Sequence, residues 1–261
     1  MPPEFEMADA LKTNASAFCA AVAITENVTL SDDRMPAIAR PKASLRNGTL
    51  TFVRSGGRTF GITCQHVIDA YRRIIAENDG QFTHSMRTML NGFYVVIDRF
   101  VRPTPQLGDP ELDIAIREVD PAFPAALGKQ CLEIDAMSEP PVDLAYAFAV
   151  GFPETLKYEI HEGHQYKVSM PQMEIVAELS GCPDRRFVMA SQLEEDLPHL
   201  NFSGMSGGPI FWSTADEFGL LGITYEGGPG SFGPSVRIYG ELATPNIVRG
   251  WLDQVPVQRA G

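Results

Sequence analysis

Residues 204–209, Gly204-Met205-Ser206-Gly207-Gly208-Pro209, are the stretch on which the reading of this chain turns. A serine hydroxyl is a weak nucleophile until a neighbouring base takes its proton. Glycines beside it permit positive φ and let backbone N–H groups converge on a developing oxyanion. A glycine-rich turn that merely contains a serine would look the same in isolation. The rest of the chain must therefore supply a base and a group that orients it.

The same hexapeptide satisfies Gly-x-Ser-x-Gly, the elbow of the α/β-hydrolases, in which the catalytic histidine follows the serine. All five histidines here (His66, His84, His161, His164 and His199) precede Ser206, so that order fails within one chain. The order His, Asp, Ser is available. His66 lies in Thr63-Cys64-Gln65-His66-Val67, directly after a strand-like run, where a sheet ends and a helix begins. Asp113 lies in Leu112-Asp113-Ile114-Ala115-Ile116, a carboxylate inside an alternating apolar strand. Burying that charge is costly unless it is paired, and an imidazole at Nδ1 would compensate it. Taken singly, His66 also reads as a surface residue at a helix start, and Asp113 as an edge-strand carboxylate facing water. Three matching pieces in the right order favour the catalytic reading.

On these residues the chain resembles the trypsin-like serine peptidases of the chymotrypsin fold, in their disulfide-poor bacterial form. TCQHV stands where that family usually has T-A-x-H-V/C, LDIAI is close to its D-I-A-L, and GMSGGP matches G-x-S-G-G-P. The separations of 47 and 93 residues suit the family. Gly151-Phe152-Pro153 resembles a G-aromatic-P turn of bacterial members, and Leu220-Leu221-Gly222-Ile223-Thr224 the strand that follows the nucleophile loop. The resemblance spans about residues 40 to 253.

It implies an all-β fold of two packed antiparallel β-barrels (chymotrypsin-like), with a short helix after the catalytic histidine and a C-terminal helix. Residues 1–17 would be a flexible N-terminal arm. Residues 18–130 would form the first barrel, carrying His66 and Asp113. Residues 131–261 would form the second, carrying Ser206 and the last helix. The resemblance makes Ser206 the nucleophile, His66 the general base and then acid, and Asp113 the residue that orients His66. The N–H groups of Gly204 and Ser206 would form the oxyanion hole. Alignment from Ser206 puts the floor of the specificity pocket near Leu200, which argues against a buried acidic residue there. Tyr225, Glu226 and Gly227 would be the edge that pairs with substrate by strand addition. Glu226 or the run Glu194-Glu195-Asp196 would attract a basic substrate residue, although a solvated acidic loop is the plainer reading.

The chain also departs from the family. Met205 stands where secreted relatives have the aspartate that pairs with a new N-terminus, and no I-V-G-G-like start is visible. Control would then come from loop ordering, an activating partner protein or cleavage elsewhere. Cys64 and Gln65 replace the usual small residues before the histidine. The alternative function is a latent or inactive regulatory module that keeps the barrels and binds peptide without cutting it.

Composition narrows the partners. With 21 Lys and Arg against 33 Asp and Glu, the formal charge is −12, which disfavours a generic nucleic-acid binder and docking to an anionic membrane surface. At 44% hydrophobic and 21% charged residues the chain is globular rather than disordered. No stretch of 18 apolar residues suggests a membrane-spanning helix. Ala15 to Ile24 are mostly apolar but follow Glu4, Glu6 and Asp9, unlike the basic start of a secretory signal. A cytoplasmic protein with reduced cysteines is expected, since Cys19, Cys64, Cys131 and Cys182 are widely spaced. A protein or peptide substrate is the expected partner, with no cofactor and no metal. His161-Glu162-Gly163-His164 reads as a hairpin loop rather than a metal pair, and Cys64 as a core thiol.

The many Gly and Pro residues, 23 and 20, favour short elements. Gly48 to Arg54 and Arg58 to Cys64 flank Ser55-Gly56-Gly57 as a hairpin, and Val67 to Asn78 carries one apolar helix face. Pro121 to Pro141 reads as a linker. Short strands follow, and Pro245 to Val255 closes the chain as an amphipathic helix.

Overall fold

A computed structural model describes residues 5–26, 46–77, 84–89, 94–95, 97–105, 111–162, 165–181, 185–192, 202–230 and 235–257. The chain enters through helix α1 (Asp9–Asn14) and a 3₁₀ turn into strand β1 (Cys19–Glu26). Strands β2 (Asn47–Ser55) and β3 (Arg58–Thr63) form a hairpin in which Ser55 pairs with Arg58. Its two-residue loop is Gly56-Gly57, with φ of 57° and 73°. Positive φ at both central positions matches the right-handed twist of the strands, and glycine reaches it without steric cost.

Helix α2 (Gln65–Glu77) follows β3 after a single residue and buries Val67, Ile68, Tyr71 and Ile75 on one face. It begins two residues earlier than the apolar periodicity indicated, so His66 sits in its first turn. Then come β4 (His84–Thr88), β5 (Tyr94–Val95) and β6 (Ala115–Val119). The first sheet runs β5-β4-β1-β2-β3-β6 as a curled half-barrel, and a bridge ties Val101 to Ile116. Among the described residues its ladder is open between β5 and β6, and this curled sheet stands where the first barrel was expected.

Residues 121–141 are not the irregular linker that their prolines suggested. They contain helix α3 (Phe123–Ala126) and strand β7 (Leu132–Glu133), which adds to β2 in parallel. Leu127, Leu132 and Ile134 are buried there. The first sheet thus gains a strand from beyond residue 130.

The second unit is built from β8 (Tyr146–Gly151), β11 (Met173–Ser180), β12 (Arg186–Gln192), β13 (Pro209–Ser213), β14 (Phe218–Pro229) and β15 (Ser235–Leu242). They close as β11-β12-β15-β14-β13-β8, each pair antiparallel. A separate hairpin, β9 (Tyr158–Glu162) with β10 (Gln165–Ser169), stands off this barrel. Helix α4 (Pro245–Leu252) buries Val248, Trp251 and Leu252, as the C-terminal pattern indicated.

The N-terminal segment is also corrected. Residues 5–18 are packed rather than a loose arm: Phe5, Leu11, Ala15 and Phe18 are buried. The Ala8 N–H donates to Ser213 Oγ at 2.8 Å. Phe18 meets Phe211 and Phe218 at centroid distances of 6.0 and 5.7 Å, which seats the segment against the second barrel. Its sequence shows no periodicity because its partners lie on elements far along the chain.

Cys19 opens β1 fully enclosed, and burial pushes its thiol up to about 12. The folded state therefore holds this proton to higher pH than the unfolded state does. The associated stability is present below the ordinary thiol pKa and is lost as pH rises from about 9 towards 12. Between pH 8 and pH 10 the native chain should lose about 1 kcal/mol more than Cys19→Ala. Urea midpoints of both proteins at the two pH values check this, and equal slopes would refute it.

Candidate active site

The loop that carries Ser206 is shaped by its glycines. Gly204 and Gly207 have φ of 96° and 93°. A Cβ at Gly207 would stand 2.0 Å from the Thr49 carbonyl oxygen, so the loop closes directly on β2. Met205 is enclosed in the second barrel's core, against Gly151. An apolar side chain thus anchors the loop.

Within the loop, the N–H groups of Met205, Gly207 and Gly208 donate to the carbonyls of Phe202, Thr224 and Met205 at 3.0, 2.8 and 2.8 Å. Those of Gly204 and Ser206 donate to no acceptor among the described residues. Among the described residues, then, two backbone donors are uncommitted on either side of Met205, a prerequisite for oxyanion binding.

Strand β2 reaches across to this loop with a row of alternate polar side chains. Thr49 donates its N–H to the Ser206 carbonyl at 2.8 Å and its hydroxyl to the Gly204 carbonyl at 2.9 Å. The Thr51 hydroxyl donates to the Gly207 carbonyl at 2.7 Å. Asn47 Nδ2 donates to the Phe152 carbonyl at 2.6 Å, and its N–H to Glu154 Oε1 at 2.9 Å. Thr49 and Thr51 are fully buried, as are Leu50 and Phe52 with which they alternate along β2. The hairpin was visible in Gly48 to Arg54, but only tertiary structure shows what its threonines bind. Hydrogen bonds buried this way are costly to leave half-made, so they tie the Ser206 loop to the first sheet.

His66 and Asp113 are brought together. Asp113 lies just before β6 rather than inside a strand, with its side chain one-fifth exposed. Its Oδ1 accepts the His66 backbone N–H at 2.9 Å, and its Oδ2 lies 2.5 Å from His66 Nδ1. The carboxylate grips both the backbone and the ring of one residue. Asp113 also offers its carbonyl to the Gln65 N–H at 3.2 Å. The His66 side chain is half exposed.

Ser206 is nearly buried, and its hydroxyl donates to the Tyr225 carbonyl at 3.1 Å. Among the described residues it is not hydrogen-bonded to His66. Tyr225, Glu226 and Gly227 lie on β14 at a bulge between Thr224 and Glu226. Gly227 packs on Phe202, whose Cβ would be 2.8 Å from an added Cβ. Leu200, expected near the pocket floor, lies outside the described residues, as do Glu194, Glu195, Asp196 and Cys182.

Cys64, His66 and Asp113 place one potential ligand atom each within 4.8 Å of one another. Those atoms are committed to hydrogen bonds. The Cys64 thiol lies 3.1 Å from the Thr224 carbonyl and is held well above its ordinary pKa, by burial first and by the Asp113 charge next. A protonated, enclosed thiol is a poor ligand and a poor nucleophile. The expected core role for Cys64 agrees with this packing.

The closed barrel, the curled sheet and the sparse helices define the chymotrypsin-like two-barrel fold. No protein-family model matches the chain, and no characterised protein matches it in sequence. Among solved structures it is similar to a thermostable serine protease, AL20, from an extremophilic microorganism. That match has a TM-score of 0.50 at 12% identity over 92% of this chain and 98% of the other. It is also similar to the protease Anisep from Arthrobacter nicotinovorans, with a TM-score of 0.44 at 12% identity, over 92% of this chain and 95% of that one.

Proposed function

We propose that this chain is a trypsin-like serine endopeptidase that cleaves peptide bonds through an acyl-enzyme formed on Ser206. The observation that carries the reading is the double grip of Asp113 on His66, at 2.9 and 2.5 Å. That grip commits Nδ1 as a donor and leaves Nε2 as the basic nitrogen. Ser206 Oγ attacks the substrate carbonyl, His66 Nε2 takes its proton, and the same proton passes to the leaving amine. Water then hydrolyses the ester by the reverse roles. The uncommitted N–H groups of Gly204 and Ser206 would receive the oxyanion, and Tyr225 to Gly227 would pair with the substrate backbone.

One observation favours the second reading, a latent site. The Ser206 hydroxyl rests on the Tyr225 carbonyl, so it must rotate towards His66 before it can be activated. Catalytic hydrogen bonds are often loose before substrate binds, so this geometry is compatible with an enzyme.

A fluorophosphonate separates the two. The intact mass of the native protein should rise by a single adduct, and Ser206→Ala should take none. A folded native protein that stays unmodified would favour the latent module and direct the search to an activating partner.

A further inference from the structure

Arg186 and Glu241 stand opposite each other on β12 and β15. Arg186 Nε lies 3.0 Å from Glu241 Oε2. The Glu241 side chain is fully enclosed, and its other oxygen has no partner among the described residues. Burial holds its carboxyl above the ordinary range, opposed by Arg186 and reinforced by the Asp113 charge. A carboxylate in this position is poor at stabilising a barrel, because an apolar pair would avoid the desolvation cost. What the pair holds is therefore the more informative question.

Arg186 touches both arms of the site. Its Nη2 donates to the Glu111 carbonyl at 3.1 Å, two residues before Asp113. Its guanidinium carbon lies 4.9 Å from the centre of the Tyr225 ring, whose backbone carbonyl holds the Ser206 hydroxyl. A second arginine continues the row: Arg102 Nε donates to the Leu112 carbonyl at 2.7 Å and pairs with the Glu111 carboxylate. With Gln65 on the Asp113 carbonyl, three successive carbonyls are each held by a donor from another segment. A strand ladder would hold them equally well but would not aim Asp113 at the start of α2.

We propose that Arg186, anchored by Glu241, is a positioning residue for the triad, setting Asp113 against His66 and Tyr225 against Ser206 from the second barrel. This rests on the peptidase reading. A planar guanidinium suits the task because one rigid fork serves the carboxylate, the carbonyl and the aromatic face together.

Arg186→Met combined with Glu241→Leu removes the brace while leaving no unpaired buried charge, so the barrel should fold. The native protein and the double variant are compared for thermal midpoint, for the rate of fluorophosphonate labelling, and for the low-field proton resonance of His66 Nδ1–H. That line is identified by its loss in Asp113→Asn. The double variant should melt within a few degrees of the native protein, label roughly 100-fold more slowly, and show the low-field line shifted or broadened. Labelling at the native rate with the line unmoved overturns the proposal. If the native protein itself does not label, the peptidase reading fails. The resonance then decides alone whether Arg186 positions Asp113 and His66: a moved line retains the brace and an unmoved one removes it. Should the double variant unfold, Arg186→Lys, which keeps the charge without the fork, is put through the same two readouts with the same criteria.

Discussion

Asp113→Asn is expected to slow turnover, or fluorophosphonate labelling, by about four orders of magnitude while the fold survives. The carboxylate accepts two hydrogen bonds from His66, one from the backbone and one from Nδ1. An asparagine has one acceptor oxygen and one donor nitrogen. If its oxygen keeps the backbone N–H, its NH₂ faces Nδ1. The ring must then carry its proton on Nε2, where it cannot receive the Ser206 proton. If the amide turns the other way, it places a donor against the His66 N–H and disturbs the first turn of α2. The first outcome removes the base and the second distorts the turn that carries it, while the near-isosteric side chain leaves the packing of Leu112 and Ile114 intact. Rates for both proteins, with circular dichroism to verify folding, make the test. A loss below tenfold would mean that Asp113 does not set the tautomer used in the reaction.

Gly207→Ala should cost stability on the order of 4 kcal/mol or more and abolish labelling. The added Cβ would stand 2.0 Å from the Thr49 carbonyl oxygen, 2.4 Å from Thr63 Oγ1 and 3.0 Å from Thr63 Cα. Two of these three are backbone atoms of the first sheet, which cannot rotate away. The φ of 93° adds strain of its own for a residue with a Cβ. To relieve the clash, the loop must leave β2, losing the hydrogen bond from Thr51 and the one to the Thr224 carbonyl. Gly128→Ala is the matched control, since Gly128 has φ of 69° but nothing within 4 Å of an added Cβ. That variant should lose only about 1–2 kcal/mol. Urea denaturation of the three proteins gives the comparison. Equal losses at both glycines would show that the close approach to β2 is not the controlling term.

The two expectations bear on different arms of one site, and the difference follows from where each arm is held. The serine arm is locked by steric closeness and buried threonines, so its failure is a folding failure. The acid arm is held by hydrogen bonds to side chains with partial exposure, so its failure leaves the fold in place and changes the chemistry. This is why Arg186 can be tested by activity and resonance without losing the protein.

Much of this was legible in residues alone. Gly56-Gly57 marked a hairpin because two successive positive φ values need glycine. The hexapeptide around Ser206 marked a strained turn for the same reason, and the apolar spacing of α2 and α4 marked their inner faces. Alternation misled at Asp113. Leu112-Asp113-Ile114 has the pattern of a strand, yet the carbonyls of Glu111, Leu112 and Asp113 are bonded by Arg186, Arg102 and Gln65, and β6 begins only at Ala115. Prolines misled at 121–141, where a strand and a helix turn form because Leu127, Leu132 and Ile134 find the first sheet's core.

Local conformation follows from local chemistry: a turn that needs positive φ shows its glycines, and an amphipathic helix shows its period. On these grounds the residues by themselves determined the β-rich character, the hairpin, the apolar faces of α2 and α4 and the glycine-shaped serine loop. Only tertiary structure decided which groups meet across the chain. Glu241 lies 55 residues from Arg186, Arg186 lies 75 from Glu111, and Gly204 lies 155 from Thr49. Pairings at such distances leave no period in the sequence, because a hydrogen-bond donor looks the same whether water or a distant carbonyl accepts from it.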